Sequence, residues 1–320
     1  MKRVAHGRFT MKIALILILV LAINGLHGCA TSPKGASSAD ASNRGDRELK
    51  RGVYWYQKGC SRKALDHFHA AHEYYCLSDR QTRVARSLNS LANVYRYAGD
   101  LDGAHLFYDA AIAAARRSDD QTEVAQALSN KASLFIHSGE LATAEVLLDE
   151  AQLSARETGS VFAMVLNHRA LLAMKAGYYD EAGNLLDQAD SIASGEGINA
   201  TAAIHFTRGR LMMKTGDYPQ AMDHFQQALE MDRQAGFSRG MADDLAAMAD
   251  LHELSGEDEA ALDCLDRSIK IQALLENRPK VIESLDRLES LAGKTGNDVR
   301  VTIHFVKRWL AGETVDAICR

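Results

Sequence analysis

The sequence predicts an all-α chain: a right-handed superhelical solenoid of antiparallel helix pairs, with about seven repeats. Three observations predict it. A glycine recurs every 38–40 residues, with small and bulky apolar residues at fixed distances behind it. Alanine supplies about one residue in seven and proline only 3 of 320, a balance that favours long helices over strands. Apolar residues within each unit fall at helical spacing rather than at strand alternation. Length alone, at roughly 150 residues per domain, points to two globular domains, and the repeat replaces that division.

The register is set by Gly59, which is followed by Ala64, Phe68 and Ala71 at offsets of five, nine and twelve. The same offsets recur at Gly99 (Ala104, Tyr108, Ala111) and at Gly139 (Ala144, Leu148, Ala151). They continue at Gly177 (Ala182, Leu186, Ala189) and Gly216 (Ala221, Phe225, Ala228). A sixth copy, Gly256, Ala261, Leu265 and Ser268, ends in serine, and a seventh, Gly296, Val301, Phe305 and Arg308, is degenerate. Each glycine suits a helix C-terminus, where a left-handed residue closes the last turn. The acidic residue that often follows (Asp100, Glu140, Asp217, Glu257) suits the positive end of the next helix. Alanine at offset five lets two helices approach, and the large residue at offset nine lies one turn on, on the same buried face. Pro219 stands just inside a helix start, where its missing N–H costs nothing.

The preceding helix of each unit has its own apolar face, with Leu88, Leu91, Ala92 and Tyr95 in one and Leu128, Ala132 and Phe135 in the next. The last unit, 279–312, keeps only an amphipathic period in Val299, Ile303, Val306 and Leu310, as expected of a terminal cap whose outer face meets water.

With 47% hydrophobic and 25% charged residues the chain can bury a core, which excludes wholesale disorder. A net charge of −5 argues against a protein that grips phosphate backbones, so nucleic acid is not an expected partner.

Residues 13–23 form an unbroken apolar run behind Lys2, Arg3, Arg8 and Lys12, the pattern of a signal peptide and too short to span a bilayer. Met11 leaves a more compact signal than Met1. The Leu26-His27-Gly28-Cys29 that follows resembles the lipobox of bacterial lipoproteins, with His27 an unusual occupant. The resemblance implies cleavage before Cys29, lipidation of its thiol and, with Ala30 next, residence in the outer membrane facing the periplasm. Cleavage removes four of the 37 basic residues and none of the 42 acidic ones, leaving a net charge of −9. The expected divisions are a signal peptide at 1–28, a polar tether at 29–45, the solenoid at 46–312 and a tail at 313–320. Arg44-Gly45-Asp46, an adhesion tripeptide elsewhere, reads here as a chance match in a polar linker.

Glycine, alanine, aromatic and alanine at these offsets resemble the tetratricopeptide repeat, over roughly residues 45–312. The family's unit is about 34 residues, so these helices carry about one extra turn and are similar to the longer units of kinesin light chain. The family's proline after the second helix is absent.

The resemblance implies a binding scaffold and no enzyme, with a protein or peptide held in a concave groove lined by the first helix of each pair. Carried over, the groove positions are Arg86, Asn89, Asn93 and Arg96 in the second unit. The third offers Gln126, Ser129, Asn130, Ser133 and His137, and the fourth Asn167, His168, Leu171 and Lys175. The fifth offers Phe206, Arg210, Met213 and Lys214, and in the sixth the lining turns acidic with Asp243, Asp250 and Glu253. Asparagine offers a donor and an acceptor, which suits an extended peptide backbone. Asn93 and Asn130 match the two asparagines of the family's carboxylate clamp. The clamp's basic positions hold Asn89, Met164 and His168, so a chaperone C-terminus is not the expected ligand.

Other motifs carry less. His67, His69 and His72 share a helix without carboxylate or cysteine at ligand spacing and read as a solvated cluster. Gly293-Lys294-Thr295 lacks the first glycine of a phosphate-binding loop. No nucleophile elbow, zinc-protease helix or paired-cysteine motif occurs, so neither cofactor nor metal is expected. Cys60 and Cys76 bracket one helix, about 24 Å apart along its axis, too far for a disulfide. Cys264 with Cys319 remains open if the tail folds back.

The expectation is a lipid-anchored scaffold for a protein or peptide, in envelope, pilus or outer-membrane assembly. The alternatives are a periplasmic sensor of a peptide or small ligand, whose occupancy changes the superhelix, and an accessory subunit of an enzyme.

Overall fold

The seven anchor glycines all adopt left-handed backbone, with φ between +72° at Gly296 and +87° at Gly139. The computed structural model describes residues 38–155, 159–193, 195, 197–275 and 277–313. The signal peptide, Cys29 and Cys319 fall outside them. Among the described residues are fourteen helices: α1 Ser38–Gln57, α2 Ser61–Leu77, α3 Gln81–Ala98, α4 Leu101–Arg117, α5 Gln121–Ser138, α6 Leu141–Ser154 and α7 Ser160–Ala176, followed by α8 Tyr179–Ala193, α9 Ile198–Thr215, α10 Tyr218–Ala235, α11 Ser238–Leu254, α12 Asp258–Leu274, α13 Arg278–Thr295 and α14 Arg300–Leu310. They pair in order as seven antiparallel hairpins, the all-α arrangement expected. None is long and apolar enough to cross a membrane. Residues from Ala41 onward form one unit, and Ser38–Asp40 belong to the other.

The offset pattern is the core. Ala64, Ala104, Ala144, Ala182, Ala221 and Ala261 are fully buried, and so are the large residues at offset nine: Phe68, Tyr108, Leu148, Leu186, Phe225 and Leu265. Asp100 and Asp217 accept hydrogen bonds from Gly103 N and Gln220 N at helix starts, whereas Glu140 and Glu257 make no such cap. The turns that return from α2 and α4 have no glycine, and Asp79 and Asp119 take positive φ there, which aspartate tolerates better than most side chains, whereas α10 ends on the left-handed Gly236.

Three large rings press on glycines. A Cβ on Gly209 of α9 would lie 2.7 Å from the Phe225 ring, and one on Gly45 would lie 2.6 Å from Tyr75. Gly52 faces Phe68 in the same way. In an exposed helix, glycine to alanine gains up to about 1 kcal/mol. Gly209→Ala is expected to reverse that sign, with a loss of about 1–3 kcal/mol and a lower unfolding midpoint, because the ring must leave its rotamer.

Two sequence expectations are corrected here. Residues 38–45, assigned to a tether, are the first half of α1, because Gly45 and Gly52 admit the rings of α2 against the helix. Asp46, the end of the Arg-Gly-Asp tripeptide, accepts a 2.9 Å hydrogen bond from Tyr75 Oη and pairs with Arg83, so that segment is folded. Cys264 is a buried free thiol, which removes the pairing with Cys319. Cys76 is also free, and Cys60 is disulfide-bonded.

In the last pair Val306 is buried while Val301, the degenerate offset-five residue, is 81% exposed. Thr302 Oγ1 donates to Asp266 at 2.5 Å and ties the cap to α12. Gly293, Lys294 and Thr295 lie inside α13, a position that holds no phosphate-binding loop.

Candidate functional site

Contacts run between successive first helices: α3 on α5, α5 on α7, α7 on α9 and α9 on α11. The first helices are therefore the inner layer and the second helices the outer one. The curvature brings the beginning of the array onto its sixth pair. Tyr97 Oη, at the end of α3, donates to Gln272 Oε1 of α12 at 3.2 Å. Arg239 of α11 is buried with its guanidinium over the rings of Tyr56 and Tyr97, 4.4 Å from the Tyr56 centroid. Tyr56 also lies against Phe237, and a Cβ on Gly59 would strike Leu275. These contacts form a seam.

Several residues assigned to the groove are committed to holding the inner helices together. Asn89 and Asn167 are buried rather than groove-lining. Asn89 Oδ1 accepts from Asn130 Nδ2 at 3.1 Å, joining α3 to α5, and Asn93 Oδ1 accepts from Tyr108 Oη at 2.7 Å. Ser129 Oγ and His168 Nδ1 are 2.6 Å apart, joining α5 to α7. Arg86 is paired with the buried Glu123. The reason is common to all: helices about 10 Å apart put mid-helix side chains between backbones, and only residues of the last turns and of the helix flank away from the outer layer reach the open face. Gln126, Asn130, Arg96 and Arg210 are half-buried, and His137, Lys175 and Lys214 are exposed.

Burial pushes His168 down to about 4, with Arg96 and His137 adding to the fall, so it is neutral at physiological pH. His137 is lowered too, first by partial loss of hydration between the helices and then by Arg96, Arg210, Lys175 and Lys280. Bases from α3, α7, α9 and α13 thus act on one imidazole of α5. The acidic lining of the sixth unit is neutralised: Arg287 of α13 reaches Asp250 at 2.6 Å and Glu253 at 2.5 Å. Asp243 accepts from Gln272 Nε2 at 3.4 Å.

Two family models, each described as tetratricopeptide repeat, match residues 84–118 and 161–234. These two segments are similar to tetratricopeptide repeats. The Rap protein solved with Competence and Sporulation Factor is 17% identical, with 84% of this chain covering 74% of that one at a TM-score of 0.61. The Cut9–Hcn1 hetero-tetramer is 17% identical at a TM-score of 0.52, with 80% of this chain covering 46% of that one. Pseudomonas aeruginosa pilF is 16% identical, covering 76% and 99%, but its TM-score of 0.43 supports no inference. At these identities the likeness is one of fold. No curated protein matches.

Within the helical array the histidines of α2 are engaged rather than solvated. His67 Nδ1 lies 2.6 Å from Glu48, His72 Nδ1 lies 3.3 Å from Ser87 Oγ, and His69 packs edge-on to Phe107. Among the described residues no group of three histidine, cysteine or acidic side chains has metal-site geometry.

The sequence reading missed the seam residues Tyr56, Tyr97, Arg239 and Gln272, and it missed Arg287. No local signal marks them, since their partners stand 29 or more residues away; only the packing of one repeat on another brings them together. A second omission is the buried acidic pair Asp232 and Asp244, which breaks the apolar pattern in α10 and α11 and was visible for that reason.

Proposed function

We propose that this tetratricopeptide scaffold holds an extended peptide or protein segment against its inner layer. The observation that carries the reading is the open face of the first helices. Gln126, Asn130, His137, Lys175 and Arg210 there retain polar capacity beyond the contacts of the fold, on a surface long enough for several residues. Asn89 and Asn167 support the site from behind rather than touching ligand. The scaffold is lipid-anchored through Cys29 at a bacterial outer membrane, on the strength of the sequence pattern alone, and its partner belongs to envelope assembly.

Capture of envelope proteins on the lipidated chain, followed by mass spectrometry, tests the site. Gln126→Ala with Lys175→Ala is expected to lose partners that Leu153→Ala, an exposed outer-face variant, retains. Identical partner sets would remove the groove reading. Radiolabelled palmitate tests the anchor: label is expected on the wild type and absent from Cys29→Ser.

A second reading, a sensor, is favoured by the seam. Occupancy of the inner layer would alter the curvature that brings Tyr97 to Gln272, and so couple binding to closure. Small-angle scattering reads it, and unchanged dimensions on saturation with a bound peptide count against it.

A further inference from the structure

The charges of the inner layer are unequally committed. Glu123 is held by Arg86, and Asp250 and Glu253 by Arg287, while Asp243 accepts from Gln272 and faces the charges of Arg239, Lys280 and Arg96. The bases are not so held. The four consecutive inner helices α3, α5, α7 and α9 each end with one, Arg96, His137, Lys175 and Lys214 in turn, and Arg210 stands one turn back on α9. Among the described residues none of these five forms an ion pair, although Asp243 attracts Arg96 and Arg210 from farther off, Asp250 also attracts Arg210, and Arg96 hydrogen-bonds Tyr108 while its Nε has no acceptor. Bases at a helix C-terminus do favour the helix dipole. The outer helices share that dipole, yet α2, α6, α8 and α12 have no base in their last turns, and of the outer bases on α4, α10 and α14, Arg116, Arg233, Lys307 and Arg308 are ion-paired. A chain that is acidic overall has therefore assembled a row of unpaired bases along one inner edge.

We infer that this row is a subsite for carboxylates, and that the segment bound by the inner layer is an acidic peptide whose Asp or Glu side chains meet Arg96, His137, Lys175, Arg210 and Lys214. The inference rests on the groove reading and narrows its ligand. Successive inner helices are about 10 Å apart, roughly three residues of extended chain, so an acidic residue at every third position matches the row. Bringing carboxylates to it also raises the affinity of His137 for a proton, since the cations that disfavour its charged form are then partly neutralised.

Fluorescein-labelled decapeptides with glutamate at every third position, with free and with amidated C-termini, test the proposal on the full chain. Peptides with glutamine or lysine at the same positions serve as comparisons. The acidic peptides are expected to bind about tenfold or more tightly than the glutamine peptide, and to lose most of that advantage between about 50 and 500 mM salt. Lys175→Glu with Lys214→Glu, both exposed and expected to leave the helical signal unchanged, are expected to weaken the acidic peptides alone. Equal affinity for glutamate and glutamine peptides, lost on Gln126→Ala, overturns the carboxylate row and leaves the groove reading standing. Binding that needs the free C-terminus overturns it in favour of end recognition, and binding of inorganic phosphate in competition with no peptide assigns the row to another anion. Failure of every peptide overturns both readings.

Discussion

Asp244→Asn is expected to raise the apparent unfolding midpoint by about 5 °C or more near pH 8, and to leave it almost unchanged near pH 4.5. Asp244 is buried on α11 with one carboxylate oxygen lacking any hydrogen-bond partner. Burial, then Asp232 and Asp243, push its pKa up to about 9 from 3.8. Asp232 lies against the backbone of Gly240 and is itself pushed up to about 7, by burial and then by Asp243. Carboxyls whose folded pKa exceeds the unfolded value favour the folded state fully only below that unfolded value. Their contribution falls as pH climbs from about 4 through about 7 and then 9, because the unfolded chain releases protons that the folded chain must hold or lose at a cost. At neutral pH that cost reaches several kcal/mol, an upper bound since the two groups interact. Asparagine keeps the shape and removes the titration. Thermal melts of both proteins across this pH range check the prediction; a constant difference between them would refute it.

Gly59→Ala is expected to destabilise the array far more than Gly99→Ala, although both glycines close helix pairs with nearly equal φ, +75° and +82°. The left-handed conformation costs either alanine about 1–2 kcal/mol. Nothing lies within 4 Å of a Cβ on Gly99, so its variant carries that cost alone. At Gly59 the new methyl meets the buried Leu275 across the seam. The extra loss, about 1–3 kcal/mol, measures the seam itself, and small-angle scattering of Gly59→Ala is expected to show larger dimensions as the first pair leaves the sixth. Equal losses in the two variants would mean that the seam contributes nothing in solution.

Much of the fold was legible because the packing of successive helix pairs is local. Ala104 and Tyr108 are buried by the helix immediately before them, so their spacing from Gly99 carries the whole instruction. The site was legible only in part. Asn89, Asn93 and Asn130 lie on the inner layer as the register requires, yet Asn89 is consumed by Asn130, and Asn93 accepts from Tyr108. A register gives the face of a helix and not the distance to the next one. The acidic end of the groove disappeared for a similar reason: Arg287 sits 34 residues beyond Glu253, one repeat on, and cancels it.

The sequence by itself determined the repeat, the seven glycine-closed pairs and the alternation of buried alanine with a large apolar residue. All of these rest on contacts within one unit or between neighbours, where chain connectivity fixes who meets whom. Only the tertiary structure decided which inner polar groups are used up, that the first pair closes on the sixth through Tyr97, Arg239 and Leu275, and that the unpaired charge left on the inner face is positive. Those depend on curvature, which sums small rotations over six pairs and is written in no single one of them.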